Sequence, residues 1–342
     1  MTNGLLLYGS ALAVAGGTAA FTTPLICRLA THVGMFDAIE DERRVHVAPT
    51  PRIGGVAVYI GFVFALFAVL GIALSQATNF FHDIDDIHQF LGLLFGSTLI
   101  LGIGIWDDIM GMRARNKLLA QIVVALIAVL YGFVIKNFHV PFAAPDVYIK
   151  IPSLLGYLLT VIWYVGMMNA INFIDGLDGL LGGVTAIASI FMVAIALTHH
   201  SSVVGLVMVS LAGAALGFLP YNFNPAKIFL GDSGSLFIGF IFATVAVMGE
   251  GAKQAVAISI LVPLIMLALP VLDTAFAIVR RARSGKRITD ADRGHFHHQL
   301  IFRYGLNVRQ AVLLMYAVCF VFGALALVVS GGLHRLSKIA GV

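Results

Sequence analysis

Apolar runs of about twenty residues recur along nearly the whole chain, and no other feature restricts its fold so tightly. A bilayer core about 30 Å thick takes about 20 residues of α-helix. Lipid offers no partner for an open N–H or C=O, so each run must close its own hydrogen bonds as a helix. Ten runs meet that length, near 4–27, 53–74, 89–106, 118–136, 152–173, 180–198, 202–219, 234–249, 255–279 and 310–331. The expectation is one all-α integral membrane domain over residues 1–342, a polytopic bundle of about ten transmembrane helices, with eleven as the alternative count. Only 11% of the residues are charged, against about 25% in soluble domains, and no polar block is long enough to fold as a soluble domain. The first run lacks the basic n-region of a cleaved leader and is long enough to span, so it is read as a helix. Cys27 and Cys319 lie within apolar runs without a CxxC pattern and are read as inert thiols.

Strict alternation places segments 28–52, 107–117, 174–179, 220–233 and 280–309 on one side of the membrane. Sixteen of the 21 Lys and Arg residues fall there, so the positive-inside rule makes that side cytoplasmic and turns both termini outward. The outer segments carry little chemistry. Phe80–Asp86 reads as a solvated rim, Val140–Pro152 alternates like a small hairpin, and His199-His200 is a loop tip.

The unusual polar residues crowd the inner side. Asn169, Asn172, Asp175 and Asp178 stand three apart at the end of an apolar run. At about 100° per residue such a spacing keeps neighbours on one helix face. Two amides then lead toward two carboxylates at the mouth of a helix, followed by glycines that admit a close approach. Trp106-Asp107-Asp108 ends the third run, with Lys117 nine residues on from Asp108. Adjacent carboxylates there can hold a divalent cation or accept a proton, and the lysine can meet a phosphate. In Asn222–Ser235, Asp232 and Ser233 stand where a helix begins, which allows simple capping or an anion-binding loop. Arg43–Gly55, with His46 and Arg52, gives a positively charged turn suited to a phosphorylated ligand or to ordinary inner-loop charge. The loop 280–309 carries Arg293, His295, His297 and His298. Its histidines lack zinc-site spacing, and imidazoles beside arginines suit a pyrophosphate better. Asp273, inside the ninth run, reads as structural or as support for the site.

Five aspartates at one membrane face imply a divalent cation, Mg²⁺ by preference for hard oxygen ligands, with Mn²⁺ as the alternative. The basic groups imply a phosphorylated substrate, and the apolar bundle implies that a second substrate is a membrane lipid. These features point to phosphoryl-type transfer onto a lipid, in which positioning and electrostatics do most of the work. A nucleic acid is excluded by the short, membrane-tethered basic loops. An ion-coupled transporter is the competing class, yet carriers place their polar residues near the midplane rather than at one face.

Four ordered motifs carry a resemblance over nearly the whole chain: WDD at 106–108, NxxNxxDGxDGL from 169, NPAKxFxGDSGS from 224 and HFHH at 295–298, with PRIGG at 51–55 ahead of them. The chain resembles the polyprenyl-phosphate N-acetylhexosamine-1-phosphate transferases, the MraY and WecA type of glycosyltransferase family 4. HFHH in place of HHH favours the WecA-like branch. The resemblance implies transfer of N-acetylhexosamine 1-phosphate, most simply GlcNAc 1-phosphate, from a UDP-sugar to undecaprenyl phosphate, releasing UMP and starting a cell-envelope glycan. UDP-MurNAc-pentapeptide is the alternative donor. It also implies a multi-pass protein of the bacterial cytoplasmic membrane with its site facing the cytoplasm, and it allows a homodimer. Carried over by residue, Asp107 matches the carboxylate that deprotonates the lipid phosphate. Asp108, Asp175 and Asp232 match the metal site, with Asp178 beside the nucleotide. Phe229 matches an aromatic that stacks on uracil, Asn222 a uridine contact, and Lys117 and His297 diphosphate-binding or catalytic groups. The basic residue that precedes the glycine turn in the family is not a lysine here, and His46 or Arg44 stands in its place.

Overall fold

The computed structural model describes residues 2–34, 50–75, 84–139, 148–198, 201–248 and 304–330. Among them are nine helices: α1 (Thr2–Val33), α2 (Gly55–Ser75), α3 (Ile84–Met110), α4 (Ala114–Leu130), α5 (Ser153–Ile174), α6 (Leu180–Thr198), α7 (Ser202–Asn222), α8 (Gly231–Met248) and α9 (Val308–Val329). Eight of them, all but α4, are long and apolar enough to cross a membrane. The fold is the helical bundle that the apolar runs require. The ninth expected run, 255–279 with Asp273, lies outside the described residues, as do Arg44, His46, Arg293, His295, His297, His298 and the tip His199-His200.

The fourth run departs from its expected bounds. The sequence places it at 118–136, but the helix starts at Ala114 and stops at Leu130 after 17 residues, about 26 Å at 1.5 Å per residue. Gly132 adopts φ +87°, a left-handed conformation that ends the helix cheaply only at glycine. The chain continues through buried Phe133, Val134 and Ile135, and the Ile135 N–H donates to Thr160 Oγ1 on α5 at 2.9 Å. Beyond it, β1 (Asn137–His139) pairs antiparallel with β2 (Tyr148–Lys150), Phe138 opposite Ile149. The alternation read over Val140–Pro152 is therefore a hairpin, its first strand lying just upstream of that stretch.

α8 is the most enclosed of the described spans, packed by α2, α3 and α5. Lipid is as apolar as leucine, so helices in a bilayer associate through close packing at small residues. α1 and α7 meet in this way: a Cβ on Gly217 would come 2.1 Å from the Gly16 carbonyl oxygen, and one on Gly213 2.4 Å from that of Leu12. α2 and α8 meet at Gly55 and Gly234, where a Cβ on Gly55 would fall 2.1 Å from the Gly234 nitrogen. That contact seats the start of α2 directly on the start of α8, at the end of the bundle where the acids lie. Cys27 and Cys319 are free thiols, the first half-buried and the second buried.

Candidate active site

The end of the bundle formed by the C-termini of α3, α5 and α7 and the N-termini of α2, α4 and α8 gathers the polar residues of four separate sequence motifs. Backbone bonds fix the floor. The Gly54 and Gly55 N–H groups donate to the Phe229 and Leu230 carbonyls at 2.8 and 2.9 Å, and the Phe229 N–H returns to the Pro51 carbonyl at 2.8 Å. The PRIGG turn and the segment before α8 therefore form one short ladder, with Arg52 and Phe229 half-buried along it.

Asp108 joins α3 to α8. Its Oδ1 accepts the Asp232 N–H at 2.7 Å and its Oδ2 the Ser233 N–H at 2.9 Å. The first N–H groups of a helix have no partner within it, and a carboxylate there also meets the positive end of the dipole. The sequence allows capping by Asp232 or Ser233 at this start, but the capping carboxylate comes from another helix, which leaves the Asp232 side chain to the site. Gly231, at φ +72°, makes room for it: a Cβ would lie 2.6 Å from Asp108 Oδ2 and 1.8 Å from the Arg52 carbonyl oxygen.

Lys117, on the first turn of α4, bridges two other helices. Its Nζ lies 3.0 Å from Asp107 Oδ2 and 2.7 Å from Asp232 Oδ1. Asp107 is buried, and its Oδ1 accepts the Met112 N–H at 2.6 Å, which closes the turn after α3. Asn172 donates through Nδ2 to the same Asp232 oxygen at 2.5 Å and to Ser235 Oγ at 2.7 Å. Asp175 follows the last residue of α5. Burial, then the nearby Asp232 and Asp108 carboxylates, push its carboxyl up to about 7, while Arg52 opposes them.

Residues 90–250 match the family described as Glycosyl transferase family 4. "Probable undecaprenyl-phosphate N-acetylglucosaminyl 1-phosphate transferase" of Bacillus subtilis is 35% identical over 320 residues, covering 94% of this chain and 84% of that protein. The chain belongs to this family. "Decaprenyl-phosphate N-acetylglucosaminephosphotransferase" of Mycobacterium tuberculosis H37Rv is 36% identical over 89% of this chain and 79% of its own length. "Phospho-N-acetylmuramoyl-pentapeptide-transferase" of Staphylococcus saprophyticus is 30% identical over 81% and 84%. This member of glycosyl transferase family 4 is thus a multi-pass membrane protein, and those of its expected motifs that lie in the described residues meet at one end.

The cluster is not the single helix face that the three-residue spacing implies. α5 ends at Ile174, so Asp175 and Asp178 lie in the turn beyond it, and Asn169, Asn172 and Asp178 go to different partners. Asn169 sits deeper, its Nδ2 donating to Gln121 Oε1 on α4 at 2.5 Å and to the Val165 carbonyl at 2.8 Å; it fastens two helices. Asp178 is buried and accepts the Asn224 Nδ2 and Ala226 N–H, both at 3.0 Å. It braces the loop ahead of Phe229 instead of standing as an open carboxylate. Asn222, expected at the nucleotide, is also buried, its amide spanning from the Gly179 N–H at 3.1 Å to the Ile228 carbonyl at 3.0 Å. It holds two site loops together from beneath.

Three contributors were not singled out from sequence. Gln121, an amide inside an apolar run, carried a signal as a polar residue that a bilayer helix must satisfy. Tyr316 and Arg309, on α9, carried none. The Tyr316 hydroxyl donates to the Gly179 carbonyl at 2.5 Å, and Arg309 Nε donates to the Asn224 carbonyl at 3.0 Å. Through them α9 grips the same two loops that Asn222 and Asp178 tie together.

Among the described residues no three His, Cys, Asp or Glu side chains form a ready metal cage. A hard cation of the Mg²⁺ kind does not need one, since it is commonly held by one or two carboxylates together with substrate phosphate oxygens. Asp232, which already draws a cationic ammonium to 2.7 Å, and Asp175 beside it fit that donor set. Asp108, the third expected ligand, has both oxygens engaged by the start of α8.

Proposed function

We propose that the chain transfers N-acetylglucosamine 1-phosphate from UDP-GlcNAc to undecaprenyl phosphate, forming an undecaprenyl-diphosphate-sugar and UMP, with Mg²⁺ as cofactor. The observation that carries the reading is the meeting of Asp107, Lys117, Asp175 and Asp232 from four segments at one end of an apolar bundle. A charged headgroup and a nucleotide diphosphate can react at such a place while the lipid tail stays in the bilayer. The relatives named for GlcNAc phosphate transfer match more of the chain, at higher identity, than the muramoyl-pentapeptide one, which favours UDP-GlcNAc as donor. The sixteen inner Lys and Arg residues support a cytoplasmic site in a bacterial inner membrane.

In this reading Asp107 takes the remaining proton of the lipid phosphate. A phosphate oxygen then forms its bond to the β-phosphorus of the UDP-sugar as the bond to UMP breaks. Asp232 and Asp175 would hold Mg²⁺, which supplies charge neutralisation at the diphosphate. Asn172 orients Asp232, Lys117 offsets negative charge on the diphosphate, and Phe229 offers a ring to the uracil. Such positioned charge is how phosphoryl transfer is usually accelerated.

The test is purified full-length protein with radiolabelled UDP-GlcNAc, undecaprenyl phosphate and Mg²⁺. Label moving into the organic phase, and ceasing when a chelator removes the ion, is the expected result. No lipid-linked label with UDP-GlcNAc or any other UDP-N-acetylhexosamine would overturn the reading.

A further inference from the structure

We propose that Lys117 is a built-in counter-ion: its ammonium occupies the Asp232 oxygen at which the divalent cation would bind and has to leave when that cation binds. The inference rests on the Mg²⁺-dependent reading above and adds to it an exchange within the site.

Asp107 and Asp232 belong to different helices, and the Lys117 ammonium reaches both at 3.0 and 2.7 Å. A carboxylate oxygen has two lone pairs to offer. At Asp232 Oδ1 both are taken, one by Lys117 Nζ and the other by Asn172 Nδ2. A cation at that oxygen therefore needs one donor to withdraw. Both have a second anchor, Asn172 on Ser235 and Lys117 on Asp107, but the amide sits on a short stem, whereas the lysine is a flexible four-carbon stem on the first turn of α4. Charge gives the same answer. An ammonium and a doubly charged ion at one carboxylate repel each other strongly in a site of low dielectric. The lysine side chain is 16% exposed, so it has a path out, and a diphosphate arriving with the ion offers it new oxygens.

Two roles for Lys117 differ in sign. If it only glued the acids together, deleting its charge would loosen them and weaken cation binding. As a counter-ion it competes, and deleting its charge strengthens cation binding while transfer falls because the diphosphate loses a partner.

The experiment measures Mn²⁺ affinity of the full chain without substrate, by the electron paramagnetic resonance of free Mn²⁺. Lys117→Met is expected to bind about tenfold tighter than wild type, and Lys117→Arg, which keeps the charge, to bind as weakly as wild type. Equal or weaker binding by Lys117→Met overturns the proposal. A second measurement needs no variant: acetylation of Lys117 in wild-type protein, followed by mass spectrometry, should speed up several-fold when Mn²⁺ is added, and an unchanged or slower rate also overturns it. Wild type that transfers sugar phosphate while Lys117→Met binds no tighter sinks the exchange alone. Wild type that transfers nothing and binds no Mn²⁺ sinks the reaction with it.

Discussion

Asp108, at the end of α3, caps the helix that begins beside Asp232, accepting the Asp232 N–H at 2.7 Å and the Ser233 N–H at 2.9 Å. Its neighbour Asp107 faces Lys117 instead. Two adjacent acids thus have separate partners, one holding the start of α8 in place and one paired with Lys117.

The division is open to test. Asp108→Asn would set an amide N–H₂ against one of two backbone N–H groups, leaving a donor without an acceptor at a cost of about 1–3 kcal/mol. Thermal unfolding in detergent should therefore shift down in Asp108→Asn. Asp107→Asn keeps an oxygen for the Met112 N–H and should lose transfer with a smaller thermal shift. Equal unfolding temperatures for Asp108→Asn and wild type would refute the capping role.

Asp175 makes stability depend on pH in a definite direction. Its carboxyl is pushed up to about 7 from an ordinary 3.8, by burial first and then by Asp232 and Asp108. Between those values the folded protein keeps a proton that the unfolded chain has released, so stability falls as pH rises through the window and the penalty is complete above the folded value. With metal removed by chelator, the unfolding temperature of wild type should decline more steeply from about pH 4 to pH 7 than that of Asp175→Asn. Parallel curves would remove Asp175 as the source.

The Asn172 side chain donates hydrogen bonds to Asp232 and Ser235. Losing the partner that orients a metal-binding side chain typically costs about 10–100-fold in activity or metal affinity. Asn172→Ala is expected to fall in that range, with Asn172→Asp no better because it would set a like charge against Asp232. Wild-type turnover in Asn172→Ala would show that Asp232 is held well enough without it.

Gly55 and Gly166 separate packing from propensity. An added Cβ at Gly55 would lie 2.1 Å from the Gly234 nitrogen and 2.3 Å from its Cα, both backbone atoms, while at Gly166 it would meet nothing within 4 Å. Gly55→Ala must push α2 off α8, for about 3 kcal/mol or more. Gly166→Ala should be neutral, or better by up to about 1 kcal/mol through helix propensity. Thermal unfolding of both variants decides it, and equal behaviour would mean that the α2–α8 contact is looser than its geometry requires.

The apolar runs determined the bundle, because a chain in lipid has no other way to satisfy its backbone. Alternation of those runs also determined which loops share a side, and so predicted that Asp107-Asp108, Asn172–Asp175 and Asp232 would be neighbours. Tertiary structure decided what each does there. The three-residue spacing from Asn169 to Asp178 looked like one polar face, yet α5 stops at Ile174, and Asn169 and Asp178 go to Gln121 and to the 224–226 loop. Spacing along one segment records which side chains can point together. It does not record the groups that other helices bring, and a hydrogen bond or ion pair belongs to both partners. Asp108 as a cap, Asn222 and Asp178 as braces, and Lys117 between Asp107 and Asp232 each depend on a second segment more than twenty residues away or on a third helix, so only the packed chain could assign them.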